Sequence, residues 1–328
     1  TVMYTEMDGN TEHLQGKTVG VIGYGSMGQP TALNLRDSGV QVVVGAASDE
    51  ARKRAANDGL TATDIAQAVQ QSTVQMLLLP DEVMPQVYLE QVSPHLKRGD
   101  TLIFASGYSV AFGFIEPPPF VDVGLVAPRT FGQAVRARYL SGEGFYTFVA
   151  SGQDASGTVW DTVLALAAAL GSLKAGAIEI TMEQEAELDL FVQQAVLPAF
   201  HQVMTTAAEV LLSQDYPPEV VMMDLHISGE LKDYLNRAAE IGLLHALRMT
   251  SLTSQFGIFS RLERFGDTKL ERLMEVSLEE SRSAQYAKEW AREYNSGYPR
   301  LRRLLQEQEK RDLWELEQQT LDLLRGFD

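Results

Sequence analysis

Three glycines, Gly23, Gly25 and Gly28, stand at GxGxxG spacing between an apolar run, Thr18-Val19-Gly20-Val21-Ile22, and a helical pattern through Thr31, Ala32, Leu33, Asn34 and Leu35. Strand, glycine turn and helix in that order form a dinucleotide-binding fingerprint. The first glycine makes the tight turn, the second admits a pyrophosphate to the backbone, and the third lets helix and strand pack closely. The anion would rest on the helix N-terminus, where unpaired N–H groups and the helix dipole favour negative charge. Tyr24, Gly25, Ser26, Met27 and Gly28 are therefore the expected cofactor contacts. A second chemical signal is Ala127-Pro128-Arg129, a cation directly after a strand and a proline. An arginine there can grip a substrate carboxylate with two parallel N–H bonds.

The choice between a free ribose hydroxyl and a 2′-phosphate rests on Ala46-Ala47-Ser48-Asp49-Glu50-Ala51-Arg52. An acidic residue near the end of the second strand favours the hydroxyl, and an arginine favours the phosphate. Asp49 and Glu50 repel a phosphate, whereas Ser48, Arg52, Lys53 and Arg54 offset that repulsion. The balance leans to NADH over NADPH, with Ser48 as a cofactor contact.

These residues need a scaffold, and the first half of the chain has one. Gln41-Val42-Val43-Val44-Gly45 completes a βαβ unit with the first strand. Further apolar runs at 74–79, 101–105, 121–126 and 146–150 alternate with helical patterns, the signature of a parallel sheet with crossover helices. In such sheets ligands bind beyond the carboxyl ends of the strands. The loops Pro80-Asp81-Glu82, Ser106-Gly107-Tyr108 and Ala127 to Gly132 thus become the walls of the expected site, with Asp81 and Gly132 as further cofactor contacts. From Met182 onward apolar residues recur at three and four spacing, as in Phe191, Ala195, Val196 and Phe200. The expected architecture is α/β, a doubly wound dinucleotide-binding domain over 1–180 followed by an all-helical domain over 181–328.

Composition removes other function classes. Lys and Arg number 27 against 44 Asp and Glu, a net charge of −17 that repels phosphodiester backbones and anionic membranes. The absence of cysteine excludes disulfides, thiolate metal sites and cysteine nucleophiles. No uninterrupted apolar run reaches the 18 or so residues of a membrane span, and residues 1–10 carry no basic-then-apolar signal, so the expectation is a cytoplasmic protein.

The whole chain resembles ketol-acid reductoisomerase of the short, bacterial class. The likeness is carried by Val21-Ile22-Gly23-Tyr24-Gly25-Ser26-Met27-Gly28, Ala32-Leu33-Asn34-Leu35-Arg36-Asp37-Ser38-Gly39-Val40, Leu78-Leu79-Pro80-Asp81-Glu82, Val126-Ala127-Pro128, Asp189-Leu190-Phe191, Glu230-Leu231-Lys232 and Ala287-Lys288-Glu289-Trp290. The resemblance implies a Rossmann domain, a knotted helical domain, and active sites completed across a homodimer. It implies isomerisation of a 2-acetohydroxy acid with two magnesium ions, then reduction by a nicotinamide cofactor; hard cations need oxygen ligands. It also implies catalytic roles for Asp189, Glu230, Arg129 and Ser251.

This chain departs from that pattern at polar positions. The family's glutamate four residues after the aspartate is Gln193 here; its loop histidine is Ser106; its lysine after Ala-Pro is Arg129; its NADPH-binding arginine is Ala47. Four positions before Glu230 stands His226, and an alternative matching brings Asp224 to that place with Ser228-Gly229 inserted. On an unbroken helix Asp224 and Glu230 would lie about 240° apart, whereas Gly229 can break the turn. Taken without the resemblance, Asp189 among Glu183, Glu185 and Glu187 reads as a solvated acidic face, His226 as a structural helical histidine, and Ser251 as a helix cap. The expectation is a reductase acting on a small, anionic carbonyl or imine compound, with the isomerase step altered or lost and magnesium in doubt. A genuine magnesium-dependent reductoisomerase and a non-catalytic nucleotide-binding protein are the alternatives.

Overall fold

A computed structural model of the chain describes residues 1–266 and 269–325. The chain divides into two compact units, Thr1–Leu188 and Asp189–Asp328.

The first unit is built on nine strands: β1 Met3–Tyr4, β2 Thr18–Ile22, β3 Gln41–Gly45, β4 Thr61–Thr63, β5 Val74–Leu77, β6 Thr101–Phe104, β7 Asp122–Pro128, β8 Thr147–Gln153 and β9 Ala177–Glu179. They form one sheet in the order β1-β9-β8-β7-β6-β5-β2-β3-β4. Both faces are covered, and the two-residue period of a strand shows it. Val19, Val21, Val44, Val74, Met76 and Ile103 enter one core, while Ile22, Val43, Leu77, Leu102 and Phe104 enter the other. Six of the strands follow the apolar runs of the sequence, and the three-residue β9 does not. The edge strands β1 and β4 are only two and three residues long and carry no such run.

The central strands β4, β3, β2, β5, β6 and β7 are parallel, as expected for a doubly wound fold. Strand β8, however, runs antiparallel to β7. The intervening helix Gly132–Ser141 packs along the helix Gly28–Asp37, and Thr147 pairs back with Pro128. Asn34 fastens that packing: its amide donates to the carbonyls of Val135 and Leu170 and accepts from Arg136. The chain therefore returns to the sheet from the end at which it left.

The second unit is helical from Asp189 onward. The helix Met182–Phe191, the wide π-turn Val192–Val196 and the helix Leu197–Leu212 follow one another without a break. By length and composition this stretch is apolar enough to cross a membrane. Reading for uninterrupted apolar runs misses it, because Gln193-Gln194 and His201-Gln202 interrupt the run without charging it. One small buried cluster of this unit is Ala208, Val221 and Met222, packed against Leu211, Leu225, Leu313 and Leu316.

Candidate dinucleotide and substrate site

Strand order reverses at β2: the chain proceeds outward through β3 and β4, then returns to place β5 on the other side of β2. This is the switch point at which open α/β sheets bind nucleotides. The glycine turn sits there, tied on one side by Gly23 N–H to the Gly45 carbonyl at 2.8 Å and on the other by Leu78 N–H to the Ile22 carbonyl at 2.8 Å. A side chain at Gly28 would place its Cβ 2.0 Å from the Gly23 carbonyl oxygen, so only glycine closes the turn onto the helix Gly28–Asp37. At Gly25 a Cβ would meet nothing within 4 Å, leaving that side open to a ligand.

The side chain of Tyr24 faces away from this opening. It is 4% exposed, and its hydroxyl donates to Asp58 at 2.7 Å. Burial first, then that bond and the Asp58 charge, push the phenol well above its ordinary value of 10. Tyr24 thus offers a ligand only its backbone.

Gly132 is positioned by the same economy of space. A Cβ there would lie 1.8 Å from the Ser26 carbonyl oxygen, so the start of the helix Gly132–Ser141 rests directly on the backbone of the glycine turn. Asp81 lies half-buried in the turn after β5, where the Pro80 carbonyl accepts from Val83 N–H. Ser48 accepts from Ala51 N–H at 3.1 Å and caps the helix Asp49–Asn57.

On the substrate side, Arg129 extends from the end of β7 and stacks over Phe148, 4.9 Å from the ring centre. Its Nη1 donates to Glu185 at 2.9 Å, and the other Glu185 oxygen accepts from Gly107 N–H at 2.7 Å. Glu185 is 1% exposed. Its expected place on a solvated acidic face is therefore wrong. Close packing buries it: a Cβ on Gly107 would stand 2.2 Å from the Met182 carbonyl, so the helix Met182–Phe191 begins hard against the loop after β6. Glu185 is the functional candidate that sequence reasoning missed. Beside it, Ser106 Oγ accepts from Tyr108 N–H at 3.2 Å.

The candidates of the helical unit are not gathered into one cluster. Gln193 donates its amide to Asp189 at 2.7 Å. His226 meets Glu317 at 2.7 Å. Gly229 takes a left-handed φ of 90° and ends the turn, so the helix Glu230–Ile241 starts afresh and the unbroken-helix angle between Asp224 and Glu230 does not apply. Ser251 accepts from Ser254 N–H at 3.2 Å and caps the helix Leu252–Phe259. Among the described residues no three His, Asp or Glu groups come together as a metal-donor set. The Gln193 amide engages one oxygen of the Asp189 carboxylate.

The family model for the acetohydroxy acid isomeroreductase NADPH-binding domain matches residues 13–176, and that for the ketol-acid reductoisomerase C-terminal domain matches residues 182–325. The chain belongs to the ketol-acid reductoisomerase family. As a member of that family it is an NAD(P)-dependent oxidoreductase. The ketol-acid reductoisomerase (NADP(+)) of Pyrobaculum aerophilum is 37% identical over 326 residues, 99% of each chain. The ketol-acid reductoisomerase (NAD(P)(+)) of Metallosphaera sedula is 38% identical over 320 residues, covering 97% of this chain and 94% of its own. Among solved structures, an NADH-preferring ketol-acid reductoisomerase from an uncultured archaeon superposes with a TM-score of 0.92 at 31% identity, covering 98% of this chain and 99% of its own.

Proposed function

We propose that this reductoisomerase-family chain uses NADH to reduce a small 2-keto compound bearing a carboxylate, with the metal-dependent isomerisation of the family altered or lost. The observation that carries the reading is the pairing of an intact dinucleotide turn, braced by Gly132, with a changed carboxylate helix on which the Gln193 amide occupies Asp189. A bound nicotinamide supplies the hydride. Tyr24 to Gly28 hold the pyrophosphate through their backbone, with Ser48, Asp81 and Gly132 completing the cofactor contacts. Arg129, oriented by Glu185, binds and aligns the substrate carboxylate. Asp189 and Glu230 are the proposed groups to orient the carbonyl and deliver the proton that its reduction requires, with Ser251 as a third candidate. The acidic sequence Asp49-Glu50, with alanine at position 47, supports NADH over NADPH.

The second reading, a full magnesium-dependent reductoisomerase, is favoured by 37% identity to such an enzyme across 99% of both chains. One assay separates the two. NADH consumption is followed with 2-acetolactate and with a 3-hydroxy-2-keto acid, each with and without magnesium. The proposed reading expects turnover of the keto acid alone. Magnesium-dependent turnover of 2-acetolactate would sink it in favour of the second. Saturable NADH binding without hydride transfer to either compound, or to a wider panel of keto acids and imines, would instead indicate a nucleotide-binding protein without catalysis.

The active unit proposed is a homodimer whose sites are shared. Phe200, Val203 and Val210, large apolar side chains exposed on the helix Leu197–Leu212, support a partner surface. Inactive Asp189→Ala and Glu230→Ala proteins refolded together should recover part of the activity in heterodimers. A sedimentation profile that stays monomeric at micromolar concentration would rule the shared site out.

A further inference from the structure

The segment after β3 holds an arginine that a sequence reader would give to a 2′-phosphate. Arg52 is the first cation after the strand, in the region where the adenosine ribose of a dinucleotide rests in a βαβ unit. In the folded chain its guanidinium turns under its own loop. Nη1 donates to the carbonyls of Ala46 at 2.7 Å and Ala47 at 3.1 Å, and Nη2 pairs with the Asp49 carboxylate. The Arg52 side chain is 29% exposed, whereas that of Asp49 is 82% exposed. The loop therefore presents water, and any ligand, with a carboxylate in front of a matched cation.

We propose that Asp49 sets dinucleotide choice by holding Arg52 to the loop, so that the adenosine end meets an acidic surface instead of a guanidinium. This inference rests on the NADH reading above and supplies its cause. A ribose 2′-hydroxyl can donate to a carboxylate, but a 2′-phosphate beside Asp49 and Glu50 is repelled. Exposed ion pairs add little to stability, so the pair acts through the direction of charge, not through the firmness of the fold. The other cations of the helix Asp49–Asn57 are placed differently: Arg54 reaches back to the Tyr24 carbonyl at 3.2 Å, and Lys53 is exposed. Neither touches the Ala46–Ala47 backbone on which Arg52 closes.

Dissociation constants of NADH and NADPH for the full chain, measured by the fluorescence of the bound reduced cofactor, test the inference without requiring turnover. AMP and 2′,5′-ADP serve as competing probes of the adenosine end alone. The wild type should favour NADH. Asp49→Asn should move the NADH-to-NADPH ratio at least about tenfold toward NADPH, chiefly by tightening NADPH and 2′,5′-ADP. Adding Arg52→Gln to Asp49→Asn should return the ratio, because the released cation is then gone. Asp49→Ser repeats the test should the asparagine variant fold poorly.

A ratio moved less than about twofold by both Asp49 variants overturns the lock. So does an equal shift when Arg52 is already glutamine, since that would be a bare charge effect. Loss of NADPH affinity on Arg52→Gln alone also overturns it, since Arg52 would then already bind phosphate. A wild-type preference for NADPH overturns the NADH reading itself, whereas a wild-type NADH preference that the Asp49 variants leave in place overturns only the lock.

Discussion

The two units of this chain finish their cores to very different degrees. In the sheet unit, strand side chains on both faces are sealed: Val19, Val21, Ile22, Leu102 and Phe104 are all fully buried. In the helical unit, large apolar side chains stand in the open, among them Phe200 at 46%, Val203 at 62% and Phe256 at 73% exposure. Full burial of such a side chain contributes roughly 1.5–3 kcal/mol, so the helical unit leaves several such contributions unrealised in a single chain. The difference teaches where each kind of information resides. The dinucleotide turn is complete within one chain, whereas the helical candidates Asp189, Glu230 and Ser251 belong to a unit whose surface calls for a partner, the proposed second copy.

Four variants sharpen or break that comparison, beginning with the largest expected effect. Gly132→Ala has no space for its methyl group against the Ser26 carbonyl. Dinucleotide affinity should fall by more than a hundredfold, about 3 kcal/mol, measured by titration; an alanine variant that still binds would show that the sheet unit is not closed at this contact. Glu185→Gln removes the buried charge that orients Arg129. We expect about 2 kcal/mol loss of stability, discounted because water reaches Arg129. Turnover should fall roughly a hundredfold, the larger cost of a misplaced substrate group, while the NADH dissociation constant stays unchanged. A weakened NADH affinity of the same size would place Glu185 in the cofactor scaffold instead.

Val203→Glu tests the open unit. If a second copy covers the helix Leu197–Leu212, the charge should weaken self-association at least tenfold, about 1.4 kcal/mol, in sedimentation equilibrium. An unchanged oligomeric state would mean that this face is not the interface. The smallest effect concerns acid. The hydroxyl of Tyr24, then the amide of Gln29, donate to Asp58 and hold its carboxyl below the usual 3.8. A lowered carboxyl stabilises the fold above its unfolded value and loses that contribution as pH falls through its folded one. Asp58→Asn should therefore melt about 2 °C below wild type at pH 7, with the gap narrowing as the pH falls below 3.8. A gap that stays constant across that range would show that ionisation of Asp58 does not contribute.

Much of the sheet unit was legible in the sequence because its signals are local. The glycine turn, six strands and the serine cap at Ser251 each announce themselves within a few residues. Strand β4, Thr61-Ala62-Thr63, does not, since three small residues on an edge carry no apolar run. The direction of β8 was hidden as well, since it goes with packing that Asn34 makes to the carbonyls of Val135 and Leu170, more than a hundred residues away. Glu185 was misread for the same reason. In sequence it is one of several carboxylates, and only the meeting of Gly107 with Met182 takes it out of water. Local residue type can nominate a site, but depth is a tertiary property.

The contact between Gly132 and Ser26 has one further consequence, for the order in which ligands bind. The loop that carries Arg129 and the turn that would hold the pyrophosphate touch backbone to backbone, with no side chain between them to absorb a shift. Whatever stills one should still the other, so dinucleotide bound first should prepare Arg129 for the substrate anion. Linkage then requires reciprocity: the anion must tighten dinucleotide binding by the same factor. Calorimetric titration in both orders measures that factor, and a value of one would mean that the two loops, though touching, act independently.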